Sequence, residues 1–454
     1  MRIRLGLPLS VGEVTRALGS ACPRAKKYRM VEYISTDSRE TERGDLFFAL
    51  GGKRISGEIY LGAARSKGAI TVGKSSAAQL RVDSAEDALL RLAIYYKEKI
   101  LREHFSVGIT GSVGKTTTKE FLKVICRQSF RVHANEGNYN NKLGLSLTLL
   151  SAPADTELLI TEMGTNGFGE ISELSCAVKP DIAVITKIGT AHIGRFGSRE
   201  GIAKAKLEIL DGMSGGKILI PYGEPLLSDV RNETTFSVSE READAFAYMR
   251  SGRAVLNFHG VEVLEASFQP LGEHNLECLC AAAFAAWNIG CSAEDITRGI
   301  SSISNKNIRQ NIYKIGNLVI LDDYYNSSYE AVSADFKLIS GMKKYKRKSA
   351  LIGSILELGE MSEQIHLRLG ELSARQGFST LFFYGEWAQT LSRGALLGGF
   401  DKERIHTNQD ISAPRDTAEK IYASCTSGEL LFVKGSHGNM LSRVMDELKI
   451  MYGD

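Results

Sequence analysis

The sequence lacks any apolar run that approaches the ~20 residues needed to cross a bilayer. Its first residues, MRIRLGLPLSVGEV, carry charges but too short an apolar core for a secretory signal peptide, so we expect a cytoplasmic protein. It also lacks a charge imbalance, since the formal net charge is only +3 over 454 residues. Nothing therefore favours a nucleic-acid or membrane partner over a small anionic ligand that is held locally.

The cysteines of the chain also form no regular spacing pattern. Its seven cysteines are scattered, and no two of them form a CxxC pair. An odd number at irregular spacing argues against a zinc site and against a disulfide framework, and predicts reduced, mostly buried thiols. An internal repeat, a low-complexity linker and the GxGxxG fingerprint of dinucleotide-binding folds are absent as well.

What the sequence does have is a repeated alternation of apolar runs with helical patterns. The length suggests about three domains. The alternation predicts an α/β fold in which parallel sheets are covered by helices and ligands bind at the carboxyl ends of the strands. We expect a small α/β domain at 1–101, a central parallel-sheet domain at 102–305 and a second parallel α/β domain at 306–454.

One stretch, GITGSVGKTTTKEF from Gly108 to Phe121, lies between an apolar run and a helical pattern. Its glycines can adopt backbone angles that a Cβ would forbid, so successive N–H groups can turn inward around an anion. The helix that follows points its positive end at the same anion, Lys115 can bridge terminal phosphates, and the hydroxyl of Thr116 can ligate Mg²⁺. A surface turn with a solvated lysine is the alternative. We predict a nucleotide-binding phosphate loop that consists of Gly111, Ser112, Val113, Gly114, Lys115, Thr116 and Thr117.

Three polar residues stand near the ends of the following predicted strands. Glu162 follows ELLIT, and its carboxylate could complete a magnesium site begun by Thr116. His192 and Lys206 lie further on, and from spacing alone each is more often a structural or solvated residue.

Two other polar clusters leave alternatives open. The turn from Ser35 to Arg39 combines hydroxyls, a carboxylate and a guanidinium, which suits a polar or phosphorylated ligand but equally suits a simple capping turn. Asn275 lies in the opening turn of an alanine-rich helix, where an ordinary helix cap is the bland interpretation.

Nine stretches, taken together and in order, resemble the Mur ligases, and among them the member that adds D-alanyl-D-alanine to UDP-MurNAc-tripeptide. One such stretch alone would be weak, so their number and order carry the resemblance. They are ISTDSR with GDLFFAL, GITGSVGKTTTKE, GNYNNKLGLSLTLL, TEMGTNGFGEIS, AHIGRFGSREGIAKAKLEI, GEHN, LDDYYN, ELGE followed by His366, and VKGSHGNM.

The resemblance implies an N-terminal uridine-nucleotide domain, a central ATPase domain and a C-terminal Rossmann-like domain. It implies ATP and Mg²⁺ as cofactors, with metal positions at Thr116, Glu162 and His192. Lys206 matches a lysine that the family carries as a carbamate, which also supports the metal. The implied catalytic residues are Lys115, Glu162, His192 and Lys206.

The implied ligand contacts are spread over all three domains. Asn275 would meet adenine, Arg309 the phosphates or ribose, and Asp322 the ribose. The UDP-linked muramyl peptide would be held by Ser35, Thr36, Asp37, Ser38, Arg39, Asn138, Asn141 and Asn326.

The implied reaction is ATP-dependent amide formation through an acyl phosphate, by a monomer acting on small molecules in peptidoglycan precursor synthesis. Several positions near the substrate depart from the family pattern: Asn166 to Glu170, Lys187, Ile308, Asn326 to Tyr329 and Ser56 to Ile59. They leave open a divergent paralogue that joins another amine to another carboxylate. A catalytically silent nucleotide-binding scaffold is the alternative from another class, and the joint presence of Lys115, Glu162, His192 and Lys206 argues against it.

Overall fold

A computed structural model of the chain describes residues 1–20, 27–52, 55–101, 104–270, 272–304, 310–324 and 327–453. Over these ranges the strands form three sheets, one within each of the three predicted domains, and helices cover them. The predicted α/β class is confirmed. The predicted boundaries, beside residues 101 and 305, adjoin residues outside the described ranges and stay a prediction.

The N-terminal sheet has the strand order β1-β2-β3-β4-β5. The sequence patterns did not reveal β1, which pairs antiparallel with β2, whereas the other neighbours are parallel. Ser84 caps α3, because its side chain accepts the N–H of Asp87. The elements are β1 (Arg2–Ser10), α1 (Val11–Leu18), β2 (Met30–Ser35), β3 (Leu46–Phe48), α2 (Leu61–Ser66), β4 (Ile70–Gly73), β5 (Leu80–Arg81) and α3 (Ala85–Ile100).

The central sheet carries the phosphate loop between its first strand and the helix that follows. Its elements are β6 (Phe105–Thr110), α4 (Lys115–Cys126), β7 (Val132–Ala134), α5 (Lys142–Ser151), β8 (Leu158–Glu162), α6 (Glu170–Val178), β9 (Ile182–Ile185), α7 (Ile193–Phe196), α8 (Arg199–Leu207), β10 (Lys217–Pro221), β11 (Glu233–Ser237), β12 (Ala245–Arg250), β13 (Arg253–Phe258), β14 (Val261–Ser267), α9 (Glu273–Ile289) and α10 (Ala293–Ser302). The strand order is β14-β13-β12-β11-β10-β9-β6-β8-β7.

The central sheet departs from the predicted parallel arrangement at one edge, where β12, β13 and β14 pair antiparallel. Two-residue turns join these strands, Ser251-Gly252 and His259-Gly260, and all four residues have positive φ. Such turns match the twist of the flanking strands and therefore favour hairpins over helical crossovers.

The C-terminal sheet has the order β15-β16-β20-β17-β18-β19 and is parallel except for β15. Every residue of β18 and β20 is buried, as expected for parallel strands covered on both faces. The elements are β15 (Asn311–Ile315), β16 (Leu318–Asp323), α11 (Tyr329–Gly341), β17 (Lys348–Gly353), α12 (Ser362–Ala374), β18 (Leu381–Tyr384), α13 (Ala388–Leu397), β19 (Ile405–Asn408), α14 (Pro414–Ser424), β20 (Leu430–Lys434) and α15 (Leu441–Tyr452).

By their internal contacts the residues fall into two compact units. The first comprises Met1–Thr110, Ser129–Ala183 and Leu207–Lys217, and it contains the 35–39 turn and Glu162. The second comprises Gly111–Gln128, Val184–Lys206 and Ile218–Asp454, and it contains the phosphate loop, His192 and the C-terminal sheet. None of the helices in the described ranges is both long and apolar enough to cross a membrane.

Candidate active site

Two glycines shape the loop that precedes α4. Gly111 has φ +147° and Gly114 has φ +85°, and a Cβ on Gly111 would lie 2.0 Å from Oγ1 of Thr186. Gly114 is also the N-terminal cap of α4, and no side chain caps this end of the helix. Lys115 begins the helix, and its Nζ donates to the carbonyl oxygens of Gly111 (2.7 Å) and Ser112 (3.4 Å). The loop therefore has the glycine-dependent shape that the sequence predicts, and the Lys115 side chain is folded over it.

The segment after β9 braces this loop through three hydrogen bonds. The N–H of Ser112 donates to the carbonyl of Lys187 at 2.8 Å. The hydroxyl of Ser112 accepts the N–H of Gly189 at 3.0 Å, and Oγ1 of Thr186 donates to the carbonyl of Val113 at 2.6 Å. The loop thus owes its shape to neighbours as well as to its glycines.

Thr116 and Thr117 follow Lys115 in the first turn of α4, and both are half-buried. Their positions are those that the phosphate-loop pattern predicts, next to the N–H groups that α4 leaves without helical partners.

His192 adopts a left-handed backbone conformation, φ +61°, immediately before α7. Its Nδ1 lies against Oε2 of Glu357. Burial lowers the pKa of His192, the Glu357 carboxylate opposes that shift, and the positive charges of Lys115 and Lys206 add to it. His192, Lys115 and Lys206 are therefore close enough to interact electrostatically, as a shared phosphate or metal site requires.

Lys206 lies in the last turn of α8, and only 3% of it is exposed. Ordinary surface lysines keep the ammonium in water. The alternative of a solvated helix lysine is therefore excluded, and this position carries a buried amine.

Glu162 ends β8 and is 1% exposed. Its backbone N–H donates to Oδ1 of Asn135 (2.8 Å), and its carbonyl accepts Nδ2 of the same residue (3.1 Å). Its carboxylate oxygen Oε1 accepts Nδ2 of Asn140 at 2.9 Å. The sequence does not reveal the role of either asparagine, because no local pattern indicates which side chain of an asparagine-rich loop turns towards a particular strand.

Asn275 is the third residue of α9, so the alternative that it caps this helix is wrong. Its Nδ2 donates to Gln310 at 3.3 Å, and Nε2 of Gln310 donates to Asp335 at 2.7 Å. Nζ of Lys434 lies 3.2 Å from Oδ2 of Asp335 and also contacts Asp323. No pattern in the sequence indicates this buried network, since its members come from distant stretches of the chain.

Asp322 and Asp323 are successive residues of β16, so their side chains point to opposite faces. Asp323 contacts Lys434, whereas Oδ1 of Asp322 accepts Nδ2 of Asn311 at 3.0 Å. Burial raises the pKa of Asp322. A cavity of about 490 Å³ is lined by Asn311, Asp322, Tyr324, His437, Met440, Leu441, Ser442 and Arg443.

Arg309 and Asn326, the other two predicted contacts in this part of the chain, lie outside the described residues.

The turn from Ser35 to Arg39 is held together from within. The hydroxyl of Ser35 donates to the carbonyl of Asp37 at 2.9 Å. The Asp37 carboxylate accepts Nη2 of Arg39 at 2.6 Å, and these hydrogen bonds lower the pKa of Asp37 well below its usual range. Lys67 donates to the carbonyls of Ser38 and Arg39 at 2.8 Å each. The turn is thus preformed and presents an exposed guanidinium. The N–H of Thr36 donates to the carbonyl of Met1, the residue before β1.

The two predicted asparagines beyond β7 differ in their surroundings. Asn141 caps α5, because its Oδ1 accepts the N–H of Gly144 at 2.9 Å. Asn138 is exposed in the preceding loop, and its carbonyl accepts the N–H of Asn140. Their contact with a UDP-linked substrate stays a prediction.

In the described part of the chain, no group of three or more His, Cys, Asp or Glu side chains forms a metal cluster by itself. The six described cysteines are free thiols, and four of them are buried, as predicted from their spacing. Cys22 lies outside the described residues.

A glycine-shaped loop between a buried parallel strand and a helix, within a layered α/β fold, defines a P-loop nucleotide-binding protein. The sequence pattern of the Mur ligase middle domain matches residues 109–286. The class is therefore that of the ATP-dependent Mur ligases.

Two curated relatives and one solved structure indicate which of the Mur ligases this chain is similar to. The UDP-N-acetylmuramoyl-tripeptide--D-alanyl-D-alanine ligase of Bacillus subtilis (strain 168) is 32% identical and covers 92% of this chain and 93% of its own length. The enzyme of that name from Rickettsia prowazekii is 30% identical and covers 91% and 94%. A crystal structure of MurF from Acinetobacter baumannii superposes with a TM-score of 0.87 at 26% identity and covers 99% of this chain and 100% of its own. The chain belongs to the Mur ligase family, in the branch of the UDP-N-acetylmuramoyl-tripeptide--D-alanyl-D-alanine ligases.

Proposed function

We propose that this protein is an ATP-dependent ligase that joins D-alanyl-D-alanine to the tripeptide of UDP-MurNAc-tripeptide and releases ADP and phosphate. The proposal depends mainly on the preformed phosphate loop, over which the Lys115 side chain is folded. The chain also matches a ligase of this kind over nine-tenths of its length. Peptidoglycan precursor synthesis in the cytoplasm, by a monomer, is part of the same proposal.

Three side chains have the chemistry that the proposed Mg²⁺ site needs. Glu162 offers a buried carboxylate that Asn140 orients, Thr116 offers a hydroxyl at the start of α4, and His192 offers an imidazole. Oxygen-rich donors of this kind suit Mg²⁺, which neutralises phosphate oxygens when it is bound. We assign Thr116, Glu162, His192 and a modified Lys206 as the metal-supporting positions.

The reaction needs activation of a carboxylate, which is a poor electrophile. The terminal tripeptide carboxylate takes the γ-phosphoryl group of ATP, so one P–O bond forms to the carboxylate and the P–O bond to ADP breaks. The backbone N–H groups of the loop and the ammonium of Lys115 balance charge on the oxygens during this transfer. The neutral amine of D-alanyl-D-alanine then attacks the carbonyl carbon. The C–N bond forms, phosphate leaves and the nitrogen loses a proton.

We further propose that Lys206 is carbamylated. An ammonium close to a metal would repel it, whereas a carbamate formed with CO₂ presents anionic oxygens. The buried position of Lys206 supports this, because burial disfavours the charged amine and formation of a carbamate requires the neutral one.

The remaining contacts are proposals from the resemblance. Asn275 contacts adenine, Arg309 the phosphates or ribose, and Asp322 the ribose. The UDP-linked peptide is held by the 35–39 turn together with Asn138, Asn141 and Asn326.

The test is a product assay by mass spectrometry with ATP, defined UDP-linked tripeptides and a panel of competing amino acids and dipeptides. We expect the pentapeptide product with D-alanyl-D-alanine and stoichiometric ADP. Preference for another amine or another carboxylate would identify a divergent paralogue. No substrate-stimulated ADP release across the whole panel would instead identify a nucleotide-binding scaffold.

A further inference from the structure

A carboxylate from the C-terminal part of the chain reaches His192. The two oxygens of Glu357 have different partners: Oε2 lies against Nδ1 of His192, and Oε1 accepts Nη2 of Arg195 at 3.1 Å. The backbone of the same residue is engaged as well, because its carbonyl accepts the N–H of Gly194 at 3.1 Å. Glu357 therefore contacts this short segment through three separate groups.

The segment that carries Glu357 is itself fixed. Nε2 of His366 accepts the N–H of Ile355 at 2.9 Å, and Oγ of Ser436 accepts the N–H of Leu356 at 3.1 Å. Glu357 has φ +65°, a conformation that a glutamate adopts only where its surroundings impose it. The backbone immediately before Glu357 is thus held by α12 and by the loop that follows β20.

The two segments also approach each other too closely for larger residues. A Cβ on Gly194 would lie 2.5 Å from the backbone nitrogen of Gly359. A second acid holds the same loop from α11, since Oγ1 of Thr190 donates to Oε2 of Glu330 at 3.1 Å. The loop around His192 is thus anchored at several points, which explains how a left-handed His192 is maintained.

We propose that Glu357 is a positioning residue for His192: it accepts the Nδ1–H and thereby leaves the Nε2 lone pair free for the reaction centre. The two ring nitrogens of a neutral histidine differ, and the partner of one decides the role of the other. Histidines that bind metals commonly donate their second nitrogen to a carboxylate, which fixes the tautomer and the ring orientation. Arg195 keeps the second oxygen of Glu357 engaged, so the carboxylate cannot rotate away without breaking another contact.

This inference rests on the proposed function, but its first test does not. In protein with ¹⁵N-labelled histidine and no metal, NMR at pH 8 reports which ring nitrogen carries the proton, and the His192→Gln variant identifies the signal. We expect the Nδ1–H tautomer in the wild type and a shift towards Nε2–H in Glu357→Ala. An unchanged tautomer in Glu357→Ala would overturn the proposal, whether or not the protein ligates D-alanyl-D-alanine.

The second test uses kinetics and a double-mutant cycle. We expect Glu357→Ala to lower kcat by about 10- to 100-fold and to raise the Mg²⁺ concentration needed for half-activation, with the KM for the acceptor amine unchanged. Glu357→Gln, whose amide oxygen can still accept the Nδ1–H, should recover part of this loss. In a His192→Ala background, Glu357→Ala should change kcat by less than about twofold, because its effect passes through the ring.

The matched control is Glu363→Gln, which changes an exposed glutamate of α12 that pairs with Arg393. It should leave all these quantities at their wild-type values. The positioning role would be overturned if His192→Ala and Glu357→Ala lowered kcat independently, so that their effects multiplied in the double variant. An equal loss of kcat in Glu357→Gln and Glu357→Ala, with unaltered Mg²⁺ dependence, would also overturn it. Because the His192 and Glu357 side chains are 29% and 38% exposed, the contact adds little to stability, so a thermal midpoint close to wild type accompanies the expected result.

Discussion

Nζ of Lys434 lies 3.2 Å from Oδ2 of Asp335, and the two side chains are only 2% and 3% exposed. Lys434 also contacts Asp323, so one ammonium compensates two carboxylates, one on β16 and one on α11. Removal of one partner leaves uncompensated charge in a poorly solvated place. Lys434→Met should therefore lower the free energy of unfolding by about 3–5 kcal/mol, as measured by urea denaturation.

The control for Lys434→Met is Lys449→Met, which removes an exposed lysine paired with Asp446 on α15. An exposed pair of this kind contributes about 0–1 kcal/mol. Equal losses in the two variants would show that the buried network does not depend on its lysine.

Lys115→Ala should abolish turnover and leave the fold intact. The Nζ atom donates to the carbonyls of Gly111 and Ser112, which are backbone groups of the phosphate loop, and the side chain is half-buried rather than part of the core. We expect substrate-stimulated ADP release to fall at least about 100-fold while the thermal midpoint stays near wild type. Lys179→Ala, at an exposed lysine that pairs with Glu98, is the control for charge removal. Normal ligation by Lys115→Ala would contradict the phosphate-loop assignment.

Lys206→Ala should be nearly inactive, because the variant can form no carbamate. Added chloride or a short carboxylate such as formate should partly restore activity by supplying the missing negative charge. Lys206→Glu, with a carboxylate on a shorter stem, should exceed Lys206→Ala and fall below wild type. Initial rates across an anion titration measure this, and full activity of Lys206→Ala in CO₂-depleted buffer would refute the carbamate.

His366 makes stability depend on pH. Burial lowers its pKa to about 4 from 6.5, so below pH 6.5 the unfolded chain takes up a proton that the folded chain refuses. The contribution is fully present at pH 7 and is lost as the pH falls towards 4. Relative to His366→Gln, which can still accept the Ile355 N–H, the wild type should lose about 2–3 kcal/mol of unfolding free energy between pH 7 and 4.5. If the urea midpoints of the two proteins changed equally with pH over this range, His366 would be excluded as the source of the pH dependence.

Asn140 and Asn141 are neighbours with separable roles. Asn140→Ala removes the amide that donates to the Glu162 carboxylate, so we expect the Mg²⁺ concentration for half-activation to rise about tenfold. Asn141→Ala removes the cap of α5 and should cost about 1 kcal/mol of stability. Metal titration and urea denaturation of both variants measure these effects. If Asn140 does not orient Glu162, the two variants will need the same Mg²⁺ concentration for half-activation.

The sequence was informative wherever a few neighbouring residues determine a structure. Glycines at 111 and 114 indicated the phosphate loop, because the backbone angles that a glycine permits are a local property. The Ser251-Gly252 and His259-Gly260 turns were equally local signals of hairpins, yet the α/β alternation elsewhere suggested helical crossovers.

The contacts that the sequence did not reveal join distant stretches. Glu357 reaches His192, Asn135 holds the backbone of Glu162, and Gln310 links Asn275 to Asp335. Each of these residues is an ordinary polar residue in its own stretch, and only the packing of sheets and helices selects its partner. The motifs around GEHN, LDDYYN and VKGSHGNM could be recognised singly, but not the network they share.

The bracing of the phosphate loop by Thr186, Lys187 and Gly189 has an entropic consequence for nucleotide binding. A loop that became ordered only around phosphate would lose about 1–2 kcal/mol per residue in backbone freedom at each binding event. Here that loss is incurred once, when the chain folds, so the interactions of the N–H groups with phosphate are available in full for affinity and for the transfer itself.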